Sequence, residues 1–238
     1  DKDAATEKGV IVMNTPFGNA VTTAEHTIAM IMSLVRMIPL ADYSTRQGKW
    51  EKSKFIGSEV TGKTLGLIGC GKIGSIVADR AIGLKMEVIV FDPFMNDEKA
   101  NALGVSKIDL EGLLSKSDIV SLHVPLNDET RNIIDKTKLK KLKSHAWLIN
   151  CARGGHVVDD DLLMALDTGH VAGACLDVFN EEPLSMEHPY WTHPLVRITP
   201  HTASLTAPHS AAQYVAENIR RVETGKLPLN IVDMEAGY

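Results

Sequence analysis

The chain has 238 residues, of which 44% are hydrophobic and 23% are charged, so it is long enough for one large domain or two modest ones with a hydrophobic core. Its formal net charge of −5 at pH 7 excludes a global positive field, and we expect neither nucleic acid nor a membrane as a partner. No uncharged stretch reaches the roughly 20 residues that span a bilayer, and no basic and then apolar leader opens the chain. Three cysteines without a Cys-x-x-Cys spacing, Cys70, Cys151 and Cys175, predict reduced thiols in a cytoplasmic protein.

The N-terminal region predicts two helical segments and one strand. Residues 1–8 are typical of the end of a helix, and residues 10–14 predict a lone strand, which cannot satisfy its own edges. Residues 20–47 predict one long helix with an apolar stripe. This stripe suits packing in the core and packing against a second subunit equally well.

From residue 63 to residue 199, apolar runs of strand length alternate with segments of helical period. This is the pattern of a parallel sheet covered by helices on both faces, so the predicted fold class is α/β with a doubly wound parallel sheet. The predicted strands are 64–69, 87–91, 119–124, 146–150, 172–176 and 196–199, with a short one near 105–108. The predicted helices are 72–84, 97–103, 109–115, 136–142 and 159–167, followed by a last helix at 207–224 and an extended exit.

A glycine-rich turn joins the first predicted strand of this sheet to its helix. Gly69 would permit the tight turn, Gly71 would let a pyrophosphate approach the backbone, and Gly74 would let helix and strand pack closely. Asp92 ends the next strand, where a carboxylate accepts the hydroxyls of the adenosine ribose and repels a 2′-phosphate. NAD is therefore favoured over NADP. The alternative is that the glycines only shape a turn and that Asp92 caps the loop before Pro93.

Three side chains that could bind or react with a ligand follow predicted strands: Arg153, Glu182 and His201. Because ligands of an open parallel sheet bind beyond the carboxyl ends of its strands, we expect these side chains to meet at one edge. His201 could exchange the proton of an alcohol, Glu182 would stabilise the imidazolium, and Arg153 offers a planar fork for a carboxylate. Asp177 is placed to accept from the nicotinamide carboxamide. Taken singly, each has a plainer interpretation, as a surface ion-pairing arginine, a strand-ending histidine, or a solvated acidic turn at Glu181 and Glu182.

Four segments carry a resemblance to a known family: G-C-G-K-I-G from Gly69, N-C-A-R-G-G from Asn150, D-V-F-N-E-E-P from Asp177 and T-P-H from Thr199. They resemble the signatures of the D-isomer-specific 2-hydroxyacid dehydrogenases, and the likeness runs over nearly the whole chain. The resemblance implies a Rossmann-type NAD-binding domain plus a remnant of a flavodoxin-like substrate domain. The implied bounds are 1–19 for the remnant, 20–206 for the NAD-binding domain, and 207–238 for a C-terminal helix and tail that return to the substrate domain.

The same resemblance implies roles for individual residues. Arg153, Glu182 and His201 would form the catalytic set, with Glu182 rather than Glu181 because the family's acid directly precedes the proline. A departure is Ala203, since the family usually has a glycine two residues after the histidine, and the methyl group would alter how the nicotinamide packs. No metal is implied. The implied cofactor contacts are Gly69, Gly71, Lys72, Ile73, Gly74, Asp92, Val124, Pro125, Cys151, Ala152, Arg153, Asp177, His201, Ala203 and Ser204.

Within the family, four segments resemble the branch that oxidises 3-phosphoglycerate to 3-phosphohydroxypyruvate with NAD in serine biosynthesis: 12–19, 24–26, 48–51 and 92–93. The implied partners are a small-molecule 2-hydroxyacid and further copies of the chain, in a homodimer or homotetramer built through the NAD-binding domain. The family's first part, most of the substrate domain, would precede Asp1.

Other interpretations of the sequence remain open. The chain could be an NAD-sensing binding protein of the corepressor type on the same fold, or an inactive NAD-binding fragment. Cys151 could be a nucleophile or a buried contact to the cofactor. His123 closes a strand as a structural or adenine-adjacent residue, whereas His188 and His193 lack a third ligand at metal-binding spacing. His26 has no evident partner in the sequence.

Overall fold

A computed structural model describes residues 1–15, 18–205 and 208–232. The chain divides into two compact units, one formed by Thr23–Ala203 and the other by Asp1–Thr22 with Ser204–Tyr238. The larger unit holds the sheet predicted from the alternating pattern, and with it every predicted site residue except Ser204.

In the larger unit, the described residues form one sheet of seven strands, all of them parallel, in the order β3-β2-β1-β4-β5-β6-β7. The direction of chain progression reverses between β1 and β4, and ligands of such sheets bind beyond the carboxyl ends at this switch point. The α/β prediction is therefore confirmed. The strands are β1 Thr64–Ile68, β2 Glu87–Phe91, β3 Ser106–Lys107, β4 Ile119–Leu122, β5 Ala146–Asn150, β6 Val171–Leu176 and β7 Val196–Ile198.

The central strands are buried on both faces, which is why they appear in the sequence as continuous apolar runs. Alternate residues of β1 enter two separate cores, with Leu65 and Leu67 in one and Ile68 in the other. Ile31 and Val35 belong to the first core, so the apolar stripe before residue 36 packs within the larger unit.

The helices are bounded by residues that satisfy their free backbone groups. Asn96, Asp109 and Asp135 each accept an amide hydrogen at the start of a helix, and Gly104 ends one in the left-handed conformation. The helices are α1 Lys2–Glu7, α2 Ala20–Val35, α3 Ile38–Arg46, α4 Lys72–Gly83, α5 Asp97–Leu103, α6 Leu110–Lys116, α7 Lys136–Lys141, α8 Asp159–Asp167 and α9 Pro208–Glu223.

The single helix predicted over residues 20–47 is wrong. Met37 has φ 56°, in the left-handed region, and separates α2 from α3. Pro39 in the first turn of α3 explains the break, because its ring would clash with the carbonyl of Val35 in a continuous helix. Among the described helices, none alone is long and apolar enough to cross a bilayer; the bent pair α2 and α3 meets that test only together, with a bend of 63° between them.

The lone strand predicted at residues 10–14 is also wrong. In the smaller unit, Met13 pairs with Ile231 through an isolated antiparallel bridge, so this segment is extended but has a partner. The amide of Asn14 donates to the carbonyl of Asn230 at 3.0 Å, and that of Val232 donates to Val12 at 2.9 Å. The other predicted helices and strands agree with the described ones to within two residues at either end; residue 207, in the predicted last helix, lies outside the described residues.

Candidate active site

The carboxyl ends of β6 and β7 bring the predicted histidine and acid into direct contact. Nδ1 of His201 lies 2.6 Å from Oε2 of Glu182, and both side chains are more than a third exposed. Because an ionised carboxylate only accepts, Nδ1–H is the donor and Nε2 is left to exchange a proton with a bound molecule. The other oxygen of Glu182 accepts from the amide of Phe179 at 2.9 Å. The acid is thus fixed by both oxygens.

Glu182 is held in its charged form. Burial alone would raise its pKa, but the hydrogen bonds from His201 and from the Phe179 amide, together with the charge of Arg153, hold the pKa below its usual range. A carboxylate that is ionised near neutral pH stabilises a positive charge on the imidazole beside it. The pair can therefore accept a proton on His201 without a second charged group.

Arg153 follows β5 on a turn that is wrapped by one amide side chain. Asn150 is buried, its Nδ2 donates to the carbonyl of Arg153 at 2.9 Å, and its Oδ1 accepts from the amide of Ala152 at 3.0 Å. The side chain of Arg153 is exposed. The turn is therefore fixed while the guanidinium faces outward, where a planar fork can bind a carboxylate.

A glycine couples the arginine turn to the loop that carries the acid. A Cβ on Gly154 would lie 1.9 Å from the backbone carbonyl carbon of Phe179 and 2.4 Å from the amide nitrogen of Asn180. Neither backbone atom can move aside as a side-chain end would. The two loops therefore lie in direct backbone contact, which only glycine allows at residue 154.

The acidic loop is also tied to α8. Oδ2 of Asp159 accepts from Nδ2 of Asn180 at 2.9 Å, and Oδ1 accepts from the hydroxyl of the buried Tyr190 at 3.0 Å. The side chain of His188 stacks at a tilt against the ring of Tyr190, with centroids 4.4 Å apart. Glu182 lies between these anchors in sequence, so the loop has fixed ends on either side of it.

Asp177, at the end of β6, holds the loop that carries His201. Its carboxylate is fully buried; Oδ1 accepts from the Thr199 hydroxyl at 2.5 Å and the Thr202 amide at 2.9 Å, and Oδ2 accepts from the Ala203 amide at 2.8 Å. A buried carboxylate is stable only with such partners. Its predicted contact with a nicotinamide carboxamide stays a prediction, and the structure adds this organising role.

The glycines of the turn after β1 fall into two classes. Gly69 has φ 91°, and a Cβ there would lie 2.7 Å from the carbonyl oxygen of His123. A Cβ on Gly74 would lie 2.5 Å from the carbonyl oxygen of Gly69. A Cβ on Gly71 would meet nothing within 4 Å. Gly69 and Gly74 are required by the protein's own packing, whereas Gly71 leaves open space beside the helix.

This turn fits a dinucleotide phosphate. Gly71 is the N-cap of α4 and supplies no side-chain hydrogen bond to the first turn of the helix, which begins at Lys72 and Ile73. The N-terminus of a helix attracts an anion through the helix dipole, and the open space beside Gly71 lets the anion approach. The residues present therefore fit the pyrophosphate of NAD.

Asp92 has the loop-capping role that the sequence offered as one of two alternatives, and its contact with the ribose stays a prediction. Its Oδ2 accepts from the Cys70 amide at 2.7 Å and its Oδ1 from the Phe94 amide at 2.9 Å, so it does cap the loop after β2. Lys99 donates to the carbonyl of Cys70 at 3.2 Å. Since a carboxylate has about four acceptor sites, Asp92 retains capacity for ribose hydroxyls.

The remaining predicted contacts lie on neighbouring turns. Val124 packs beside Gly69, and the carbonyl of Pro125 accepts from the Thr130 hydroxyl at 2.6 Å. Cys151 is buried, and burial raises the pKa of its thiol to about 12. A protonated, buried thiol is a poor nucleophile, which favours the contact interpretation over the nucleophile. Ala203 is buried, and Ser204 belongs to the smaller unit.

Sequence reasoning missed the side chains that hold these loops. Asn150 and Asn180 stand inside quoted motifs, and an amide at the end of a strand is the signal that could have identified them. His26 gave no such signal, because its partner Thr199 is 173 residues away. Contacts of that range become visible only once the strands are arranged in space.

Known proteins resemble this chain in sequence. The sequence profile of the D-isomer specific 2-hydroxyacid dehydrogenase NAD binding domain matches residues 28–203. D-3-phosphoglycerate dehydrogenase of Bacillus subtilis is 44% identical over 238 residues, covering 99% of this chain and 45% of that protein. The enzyme of the same name from Archaeoglobus fulgidus is 41% identical, covering 98% and 45%. The chain thus spans about half the length of the relatives it matches.

Solved structures resemble it in fold. The TT0316 protein from Thermus thermophilus has a TM-score of 0.89 and 35% identity, covering 98% of this chain and 75% of that one. The NAD complex of a D-isomer specific 2-hydroxyacid dehydrogenase from Lactobacillus delbrueckii has a TM-score of 0.83 and 32% identity, with coverages of 98% and 75%. The chain therefore belongs to the D-isomer specific 2-hydroxyacid dehydrogenase family, and residues 28–203 match its NAD-binding domain.

Proposed function

We propose that the chain is the NAD-binding and catalytic part of a dehydrogenase that oxidises 3-phosphoglycerate to 3-phosphohydroxypyruvate. The observation that carries the reaction is the hydrogen bond of 2.6 Å between His201 and Glu182, on the sheet edge where the NAD-binding turn also ends. The substrate is supported by the names of the relatives, D-3-phosphoglycerate dehydrogenases at 38 to 44% identity.

In the proposed reaction, His201 is the general base. Nε2 accepts the proton of the substrate hydroxyl, and the electron pair of that O–H bond becomes the second bond of the new carbonyl. Glu182 keeps Nδ1 protonated and stabilises the imidazolium that results. Bound NAD would supply the acceptor for the hydride that leaves the carbon atom bearing that hydroxyl. In the reverse direction His201 returns the proton to the carbonyl oxygen.

Arg153 is proposed to bind the substrate carboxylate. Its exposed guanidinium stands on the turn that contacts the Glu182 loop through Gly154, so a carboxylate held there would be kept at a fixed place relative to His201. Two parallel N–H donors would also polarise the adjacent carbonyl.

We also propose that the NAD-binding domain spans residues 20–206 and that residues 1–19 and 207–238 belong to a substrate domain.

A homodimer or homotetramer through the NAD-binding domain is supported by exposed apolar side chains in and after α3, with Tyr43 at 66% and Trp50 at 86% exposure. Light scattering on the intact protein would give the oligomeric state. A cytoplasmic location is supported by three buried cysteines that form no disulfide.

The reaction is tested on the intact protein that contains this chain. NADH formation is measured with 3-phosphoglycerate and, for comparison, with D-lactate and D-glycerate. We expect a kcat/KM for 3-phosphoglycerate well above the other two. Turnover of D-lactate or D-glycerate but not of 3-phosphoglycerate would contradict the proposed substrate. Tight NAD binding without turnover of any of the three would contradict the proposal that the protein is an enzyme.

A further inference from the structure

His26, on α2, reaches the loop that carries the proposed base. Its Nε2 lies 3.3 Å from the hydroxyl of Thr199 and 3.6 Å from Oδ1 of Asp177. The imidazole is about a quarter exposed, whereas Asp177 is fully buried. A polar side chain from a distant helix therefore contacts the two residues on which the His201 loop depends.

The hydrogen bonds around Thr199 assign the proton on His26. The single hydroxyl hydrogen of Thr199 is used toward Asp177, at 2.5 Å. Thr199 can then only accept from His26, so Nε2 of His26 must carry a hydrogen. That hydrogen faces both the Thr199 oxygen and the Asp177 carboxylate. His26 is thus a donor to this pair in its neutral and in its charged form.

Thr199 and Asp177, the two residues that His26 contacts, hold the backbone conformation around the proposed base, His201. Besides the side-chain contacts of Asp177, its main-chain carbonyl accepts from the amide of His201 at 2.8 Å. His201 has φ 54°, in the left-handed region that costs an L residue energy and has to be maintained by its surroundings. Whatever fixes Thr199 against Asp177 therefore also fixes the direction of the His201 side chain.

We propose that His26 is a positioning residue that acts through Thr199 and Asp177 to hold His201 against its substrate. This inference rests on the proposed dehydrogenase function. His26 does not touch the reacting atoms; it donates to the Thr199 hydroxyl, which in turn donates to the buried carboxylate of Asp177, and Nε2 of His26 lies 3.6 Å from that carboxylate. Loss of that donor lets Thr199 turn and the loop relax.

The test uses a graded set of substitutions in the intact protein. In His26→Gln, the amide nitrogen can reach the place of Nε2, whereas in His26→Asn it is too short to do so. We expect His26→Ala and His26→Asn to lower kcat by roughly tenfold with KM values within about twofold, as a misplaced base would. His26→Gln should restore most of the kcat. His170→Ala is the matched control, since it removes a half-buried imidazole at the amino end of β6, whose Nε2 hydrogen-bonds the Leu139 carbonyl, far from the carboxyl ends that carry His201.

A double-mutant cycle with Thr199→Val then identifies the route. If His26 acts through the Thr199 hydroxyl, the double variant should be no slower than the slower single one, because coupled residues are not additive. Wild-type kcat in His26→Ala, equal rates for the Gln and Asn variants, or additive losses would each overturn the inference. Failure of the proposed function is distinct, because the wild-type protein itself would then show no turnover.

Discussion

The proposed base, His201, and the acid beside it, Glu182, differ in whether their protonation state changes during turnover. His201 must change its protonation state during turnover, whereas Glu182 must not, and the hydrogen bonds to both oxygens of Glu182 keep it ionised. We expect His201→Ala to lower kcat by about 10²- to 10⁴-fold, the range for removal of a general acid–base group. Glu182→Gln should lower kcat by a comparable factor, because a Gln whose oxygen stays on the Phe179 amide turns its NH2 group toward Nδ1 of His201, so that Nε2 carries the hydrogen and cannot accept a proton.

Steady-state kinetics with NAD and 3-phosphoglycerate measure both changes in the intact protein. Gln is nearly isosteric with Glu and retains an acceptor for the Phe179 amide, so the loop should stay in place. A His201→Ala enzyme with wild-type turnover would show that another group handles the proton.

Gly71 offers a test of cofactor binding that is independent of catalysis. Because a Cβ there would meet no protein atom, we expect Gly71→Ala to leave the melting temperature almost unchanged but to weaken NAD binding by roughly tenfold, about 1.4 kcal/mol. Calorimetric titration with NAD measures the affinity. Gly69→Ala is the contrasting variant, which should lower the melting temperature because φ is 91° and a carbonyl oxygen blocks the Cβ. Unchanged NAD affinity in Gly71→Ala would mean that this glycine only shapes the turn.

At the level of the elements, Gly154 decides whether two loops can stay in contact. We expect Gly154→Ala to force the arginine turn away from residues 179–180, lowering stability by about 1–3 kcal/mol and kcat/KM by on the order of 10²-fold. Urea denaturation and steady-state kinetics measure the two effects.

Gly155→Ala is the matched control for that variant. A Cβ on Gly155 would meet the ends of flexible side chains, at 2.9 Å from Leu126 Cδ2 and 3.3 Å from Arg131 Nη1, which can move aside. It should therefore keep most of its activity. Equal losses in the two variants would argue against a specific backbone contact at Gly154.

The elements also separate what the sequence predicts from what it does not. The buried strands and the glycine turn follow from apolar runs and from glycine spacing, which are local. The break at Met37 was missed because the left-handed conformation is not a preference of methionine; only Pro39 hints at it. The arginine, acid and histidine could be placed together because each follows a strand, and the carboxyl ends of parallel strands lie on one side of the sheet. Their supports could not, since His26 and Thr199 lie 173 residues apart.

At the scale of the whole molecule, two histidines, the partly buried His123 and the buried His156, link stability to pH. Burial lowers the pKa of His123 to about 4 and also lowers the pKa of the fully buried His156. A histidine in the unfolded chain has a pKa near 6.5, as typical peptides do. The unfolded state therefore binds more protons between about pH 6.5 and 4, and the free energy of unfolding should fall as the pH is lowered through that range.

Urea denaturation at several pH values between 7 and 4.5 tests this linkage. His123→Gln should flatten the dependence, because its amide can keep a hydrogen bond with the Ser121 hydroxyl, which lies 2.9 Å from Nε2 of His123, without gaining a charge. A pH dependence as steep in this variant as in the wild type would show that His123 does not contribute.

Because of the backbone contact at Gly154, we expect the catalytic rate and the selectivity between substrates to depend on different parts of the protein. Since the backbones of the arginine turn and the acidic loop are in contact, we expect a substitution that moves one to move the other and to lower the rates of the proposed dehydrogenase for all hydroxyacids together. Discrimination between substrates has to be adjusted from outside this support. A laboratory selection for a new hydroxyacid would therefore leave residues 150–155 and 177–182 as they are and accumulate its changes elsewhere in the protein.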